Sequence, residues 1–258
     1  MLLVLDVGNT QTVAGLYEDT GHDLAAHWRV ATDAQRTSDE HALLLDQLLA
    51  FEDLSFPDVE GVCISSTAPA LTAALREMCA RYLPDAHLVV VGPGVRTGIP
   101  IRYDTPYEVG PDRIANAVAA HDSHAGRIIV VDFGTATIFD ALSAEGEYLG
   151  GALFPGLEVS LDAMFGRAAA IRRVELAAPQ HVIGRTIAES VQSGTVHGFA
   201  SVVEGMCERF ERALGGPATV VATGRLAELV VPMVDRSIVL DPSLTLRGLR
   251  LIYRRNAA

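Results

Sequence analysis

Two phrases of the chain resemble one another, and both hold residues suited to a metal-bound phosphate. Leu3-Val-Leu-Asp-Val-Gly-Asn-Thr-Gln-Thr-Val13 lies near the N-terminus, and Ile129-Val-Val-Asp-Phe-Gly-Thr-Ala-Thr-Ile-Phe139 lies in the middle. Each is an apolar run, then Asp, one apolar residue, Gly, and a cluster of small hydroxyl or amide side chains. The apolar runs are short and rich in Val, Leu and Ile, which predicts buried strands ending at Asp6 and Asp132. A carboxylate at a strand end can hold a cation, while the N–H groups and hydroxyls of the following turn can hold an anion. Gly8 and Gly134 are expected to allow a tight turn that a side chain would block. One Asp-x-Gly turn alone is an ordinary structural turn. Two at matching places point to two similar domains gripping one Mg-nucleotide between them.

Other residues have chemistry to offer. Asp112 and Arg113 stand in Gly110-Pro-Asp-Arg113, at the start of a predicted helix. Asp112 there either complements the helix dipole or accepts a proton from a substrate hydroxyl. Arg113 could bind a carboxylate or phosphate bidentately. Gly150-Gly151 and Pro155-Gly156 bracket a short apolar segment and serve either as turns or as points of close backbone approach to a ligand. Ala222-Thr223-Gly224 repeats the strand-then-glycine theme, and a bare Gly there would admit a flat ring.

Several chemistries are excluded. The 20 basic residues are all Arg, so a Walker A phosphate loop and a Lys Schiff base both lack their lysine. Cys63, Cys79 and Cys207 are far apart and read as plain thiols in a reducing cytosol. His121 and His124 lie three apart, but no third ligand for a transition metal is evident. No Gly-x-Ser-x-Gly elbow is present.

The elements that must position these residues alternate between strand and helix. Strands are predicted over 2–6, 12–17, 24–30, 60–65 and 87–91, with a helix after Ser38 as N-cap and another over 69–82. Residues 92–100 read as a loop, and 111–120 as a helix with Pro at its first position. The second half restarts the pattern, with strands over 127–132, 136–142 and 147–153 and a helix over 157–171. Val196, Phe199, Val202, Val203, Met206, Phe210 and Leu214 form a helical stripe that reads as core. A strand over 218–223 ends at Gly224, and a helix starts at Leu226. Two α/β domains are expected, 1–120 and 121–258.

At 258 residues and 49% hydrophobic composition the chain can bury a full core. No apolar run approaches the roughly 20 residues of a membrane span, and the N-terminus does not read as a signal peptide. A net charge of −12 argues against general nucleic-acid binding. No nucleic-acid partner, no membrane and a cytoplasmic location are expected.

The motifs in this order resemble the type III pantothenate kinases, relatives of acetate kinase, sugar kinases, actin and the heat-shock ATPases. Asp6-Val-Gly-Asn-Thr10 resembles the family's first phosphate motif, Gly110-Pro-Asp-Arg113 its Gly-Ala-Asp-Arg motif, and Asp132-Phe-Gly-Thr-Ala-Thr137 its second phosphate motif. Gly150 to Gly156 and Arg172-Arg-Val-Glu175 are also family-like, and Ala222-Thr-Gly224 resembles the adenosine motif. The resemblance implies two actin-like (ribonuclease H-like) domains with an ATP cleft between them. It implies phosphorylation of pantothenate to 4′-phosphopantothenate, the first step of coenzyme A biosynthesis. ATP would contact Asp6, Val7, Gly8, Asn9, Thr10, Gln11, Thr12 and Val13, together with Gly134, Thr135 and Gly224. Asp6 would act through Mg²⁺ and its water shell, and Asp132 would bind K⁺ or NH₄⁺. Tyr103, Gly110, Pro111, Asp112, Arg113 and Ile187 would face pantothenate, with Asp112 as catalytic base. A homodimer is implied too. Four positions depart from the pattern: Pro111 for Ala, Ile138 for Thr, Arg225 for a second Gly, and Ile187 for Thr, with Thr186 adjacent. Two alternatives stay open: a kinase for another small alcohol, and an ATP-binding regulator without kinase activity.

Overall fold

The computed structural model describes residues 1–18, 21, 23–168 and 173–257. In chain order its elements are β1 (Leu2–Val7), β2 (Gln11–Tyr17), β3 (Leu24–Ala31), α1 (Ser38–Ala50), β4 (Gly61–Ser66), α2 (Pro69–Tyr82), β5 (His87–Val90) and α3 (Pro111–Ser123). There follow β6 (Ile128–Phe133), β7 (Ala136–Leu142), β8 (Tyr148–Pro155), α4 (Leu157–Arg167), α5 (Ile187–Leu214), β9 (Thr219–Thr223), α6 (Ala227–Val230), β10 (Val239–Leu240) and α7 (Leu244–Asn256). The expected helix 157–171 ends at Arg167, and its last three positions lie outside the described residues.

The chain forms two compact units. One comprises Met1–Ile99, Asp104–Ala119 and Leu244–Ala258, and the other Pro100–Tyr103 and Ala120–Ser243. The units are therefore interleaved in sequence, with the C-terminal helix counted in the first.

The first unit carries a sheet ordered β3-β2-β1-β4-β5, in which β1 runs antiparallel to β2 and parallel to β4. The second carries β8-β7-β6-β9-β10, with β6 antiparallel to β7 and parallel to β9. Strand order and direction thus repeat, as the duplicated phrase led one to expect.

Side chains alternate across a strand, so each sheet has two faces. In the first unit Leu3, Leu5 and Val7 of β1 join Val62 and Ile64 beneath Leu45 and Leu49 of α1 and Leu71, Leu75 and Met78 of α2. Leu2, Val4 and Asp6 therefore point to the opposite face. There lies α7. A β-carbon on Gly15 would meet the Leu246 Cδ1 at 2.9 Å, and the Arg250 guanidinium carbon sits 5.4 Å from the Tyr17 ring centre. In the second unit Ile129, Val131, Phe133 and Phe139 pack on Phe199, Ala200, Val203 and Cys207 of α5. Val202, Met206, Phe210 and Leu214 border the same core, so the predicted stripe is structural. Helix α5 ends at Gly215, whose φ of 77° supplies the left-handed cap.

One expected cap is shifted. Thr37, not Ser38, caps α1: its Oγ1 accepts from the Glu40 N–H at 3.3 Å, and the Glu40 carboxylate accepts from the Thr37 N–H at 2.8 Å. The reciprocal box needs an acid three residues on, which Thr37 has and Ser38 lacks.

The three thiols are free and buried, and burial pushes Cys63 up to about 12 and Cys79 and Cys207 up to about 11. They are therefore poor nucleophiles. Among the described residues no helix is long and apolar enough to cross a membrane.

Candidate active site

Asp6 and Asp132 occupy the same place in their two sheets. Each is the fifth residue of a six-residue strand, half-buried after four buried residues and before a buried apolar one. Asp6 pairs with Val13 across the antiparallel neighbour and with Ser65 across the parallel one. Asp132 pairs with Ile138 and Thr223 in the same way. The repeat thus sets a hydroxyl residue beside each carboxylate.

Each strand then turns back. The Gly8 N–H donates to the Gln11 carbonyl at 3.0 Å, and the Gly134 N–H donates to the Ala136 carbonyl at 3.0 Å. The second turn is one residue shorter. Asn9, Thr10, Gly134 and Thr135 are exposed, so these turns present backbone and hydroxyl groups outward. Neither Gly8 nor Gly134 has a left-handed φ. A β-carbon at Gly8 would lie 3.0 Å from the Gln11 carbonyl, whereas at Gly134 the nearest atoms would be an ordinary 3.5 Å and 3.8 Å away. The expected steric demand for glycine is therefore present at the first turn and absent at the second.

Sequence reasoning missed Thr32, which braces the first turn. Its Oγ1 donates to the Gly8 carbonyl at 2.8 Å and lies 2.9 Å from the Thr12 Oγ1, and its N–H donates to the Thr10 carbonyl at 3.0 Å. The available signal was register: Gln11 pairs with Ala31, which brings the next residue to the turn.

Around the second turn two more glycines close in. The Gly156 N–H donates to the Thr135 carbonyl at 3.1 Å, and a β-carbon on Gly156 would lie 2.3 Å from that same oxygen. Gly224, with φ of +90°, passes so near β6 that a β-carbon would lie 2.6 Å from the Asp132 Oδ1 and from the Phe133 nitrogen. Arg225, one of the departures, is ion-paired with Glu158 of α4. Asp132, Gly134, Thr135, Gly156 and Gly224 are thus gathered at one sheet end.

Asp112 lies in the first turn of α3. Pro111 opens the helix, and the Gly110 carbonyl accepts the Ile114 N–H at 3.2 Å. The carboxylate folds back over Gly110, whose missing β-carbon would lie 2.3 Å from the Asp112 Oδ1. That oxygen is buried and has no hydrogen-bond partner. Burial raises the Asp112 carboxyl above the ordinary aspartate range, against the opposing pull of the Arg113 N–H, its own N–H and the Arg113 charge. Arg113 itself is only 7% exposed, so any anion it meets must also be enclosed.

Tyr103 is half-buried and packs on Gly150, where a β-carbon would stand 3.2 Å from its ring. Its ring centre is 6.4 Å from that of Tyr148, whose hydroxyl donates to Asp140 at 2.8 Å. Ile187 is 61% exposed at the start of α5. Thr186 beside it is the N-cap, its Oγ1 accepting the Glu189 N–H at 3.1 Å, so that hydroxyl has a structural task. In the family-like Arg172-to-Glu175 segment, Arg172 lies outside the described residues and Arg173 pairs with Asp162.

Among the described residues no three His, Cys, Asp or Glu side chains gather to hold a metal ion. A cation here would share its shell between a carboxylate, waters and phosphate oxygens, as Mg²⁺ commonly does in phosphate sites. The two strand-end carboxylates beside exposed turns fit that arrangement. Both offer hard oxygen donors.

The sequence model of a family described as type III pantothenate kinase matches residues 2–209. A type III pantothenate kinase of Moorella thermoacetica is 50% identical over 256 residues, covering 99% of this chain and 100% of its own. One from Myxococcus xanthus is 49% identical over 258 residues and is covered end to end, as is this chain. Among solved structures, the inorganic polyphosphate/ATP-glucomannokinase of Arthrobacter sp. strain KM superposes with a TM-score of 0.51 at 14% identity, covering 99% of this chain and 98% of that one. At that identity the likeness concerns the fold, two α/β units of the actin-like ATPase kind. Identity near one half along the whole length settles the narrower question: the chain belongs to the type III pantothenate kinase family.

Proposed function

We propose that this chain transfers the γ-phosphoryl group of ATP to the hydroxyl of pantothenate, giving 4′-phosphopantothenate and ADP at the first step of coenzyme A biosynthesis. The observation that carries the mechanism is the buried, unpartnered Oδ1 of Asp112. It is an acceptor held ready for a proton at a carboxyl whose affinity for one is raised. The substrate hydroxyl gives its proton to Asp112 as its oxygen attacks the γ-phosphorus, and the bond to the ADP oxygen breaks in line.

The remaining groups position and neutralise. Asp6 would hold Mg²⁺ through its water shell, with the residues from Val7 to Val13 lining the nucleotide. Thr135 offers its hydroxyl to the phosphates beside the exposed backbone of Gly134, and Gly224 leaves room for the adenosine. Asp132 would hold K⁺ or NH₄⁺. When bound, such cations would supply charge neutralisation at the phosphates. Tyr103, the Gly110 to Arg113 turn and Ile187 face pantothenate. Buried free thiols suit a cytoplasmic enzyme. We also read the active form as a homodimer.

A coupled assay of ADP release, with and without pantothenate, tests this reading. ADP should form only when pantothenate is present. Release that ignores pantothenate but rises with a sugar or another small alcohol would move the chain to a different kinase reaction. No release with any acceptor, despite ATP binding, would leave a nucleotide-binding regulator.

A further inference from the structure

The C-terminal helix α7 touches the helix that bears Asp112, and it does so with no side chain between the backbones. A β-carbon on Gly248 would lie 1.9 Å from the Ala115 carbonyl oxygen and 2.5 Å from its carbon. One residue further along α3, the Thr245 hydroxyl donates to the Asn116 Oδ1 at 2.7 Å. Asn116 is 1% exposed and Thr245 half-buried, so this hydrogen bond is partly sheltered from water. Both helices have 13 residues, and Ala115 and Gly248 are each the fifth.

The geometry of a helix makes this contact relevant to chemistry. Residues three and four apart share a face, and side chains lean toward the N-terminus. Asp112 precedes Ala115 by three residues and Asn116 by four. The face of α3 that carries the carboxylate is therefore the face that rests on α7, one turn further along. The other side of α7 is fixed on the sheet by Leu246 at Gly15, by Arg250 over Tyr17, and by Tyr253 at Gly61. Asp6 belongs to that same sheet face. Helix α7 thus joins the strand bearing one acidic group to the helix bearing the other.

We propose that α7 positions the Asp112 carboxylate, with Gly248, Thr245 and Asn116 as positioning residues for the phosphoryl transfer. This rests on Asp112 being the base. Gly248 sets the distance at which α3 lies, and the Thr245–Asn116 hydrogen bond sets its rotation and register. A methyl at position 248 cannot share space with the Ala115 carbonyl, so the helices must part by roughly 1 Å, a displacement that costs a positioned group on the order of 10²-fold in rate.

The test is a double-mutant cycle on the full chain. Gly248→Ala should lower kcat by on the order of 10²-fold while the KM for ATP and the equilibrium binding of Mg-ATP hold. In the Asp112→Asn background the same change should cost nothing more, because the group it misplaces is already gone. Full turnover in Gly248→Ala, or a loss that multiplies with that of Asp112→Asn, would overturn the proposal and leave the base assignment intact. Near-normal turnover in Asp112→Asn alone would remove the base assignment and the proposal with it. If Gly248→Ala does not fold, Thr245→Val is read in the same cycle. Thr245→Ser, which keeps the hydroxyl, should then restore kcat, and equal losses in the two Thr245 variants would count against the idea.

Discussion

Gly224 leaves bare the space beside the Asp132 carboxylate: a β-carbon there would lie 2.6 Å from the Asp132 Oδ1. The two come together because β6 and β9 run parallel with Asp132 beside Thr223, so the residue after β9 crosses the end of β6. The φ of +90° at Gly224 is the second demand for glycine at this point.

Gly224→Ala should therefore harm both stability and function. Left-handed strain costs on the order of 1–3 kcal/mol, and the methyl must also push Asp132 or the Phe133 backbone aside. Urea unfolding should show that loss together with weaker ATP binding. Gly194 is the control. It lies exposed within α5 with nothing within 4 Å of an added β-carbon, so Gly194→Ala should stabilise by about 0.5–1 kcal/mol. Equal behaviour of the two variants would mean that Gly224 is an ordinary turn residue.

The duplicated Asp-x-Gly phrase was legible because it is local: an apolar run, a strand-end acid and a turn all fall within eleven residues. So were Pro111 at the start of α3 and the apolar stripe of α5. What the sequence hid is contact between distant segments. Thr32 braces Gly8 only because β3 returns alongside β2. Gly156 and Gly224 reach the second turn from separate elements, and nothing in their own neighbourhoods says so. Helix α7 was not foreseen. Its apolar residues are interrupted by Arg250, which looks like a surface residue but is 3% exposed and lies over Tyr17.

Asp132 as the monovalent-cation ligand predicts a salt response. With Mg²⁺ fixed, turnover should rise strongly on adding K⁺ or NH₄⁺ and little with Na⁺. Asp132→Asn should lose most of that stimulation. Equal rates in the three chlorides at constant ionic strength would reject the assignment.

Assembly can be measured directly. In the second unit β8 is an edge strand, and it shows Leu149 and the 63% exposed Leu153 to solvent, with Val159 of α4 exposed as well. Exposed apolar side chains on an unpaired sheet edge suit cover by a second copy of the chain. A homodimer is the expected mass in light scattering, and Leu153→Glu should weaken it. A monomeric mass with full activity at the same concentration would refute the dimer reading.

The raised affinity of Asp112 for its proton fixes the sign of two pH effects. As a base it must be ionised, so kcat should fall on the acid side through a group titrating above the ordinary aspartate range. Asp112→Asn should remove that limb and lower turnover by on the order of 10²- to 10⁴-fold, with Mg-ATP binding little changed. Stability should move the opposite way. A carboxyl whose folded value is raised favours the fold while protonated, and that advantage is lost as pH rises from the unfolded value through the folded one. Above that window the wild-type protein holds an ill-solvated charge that the asparagine variant does not. Asp112→Asn should therefore raise the melting temperature near neutral pH, and the gain should shrink toward zero as pH falls below the unfolded aspartate value. Near-normal turnover in this variant would reduce Asp112 to a helix-start residue, and a stability gain that does not vary with pH would show that its charge is not the one burial penalises.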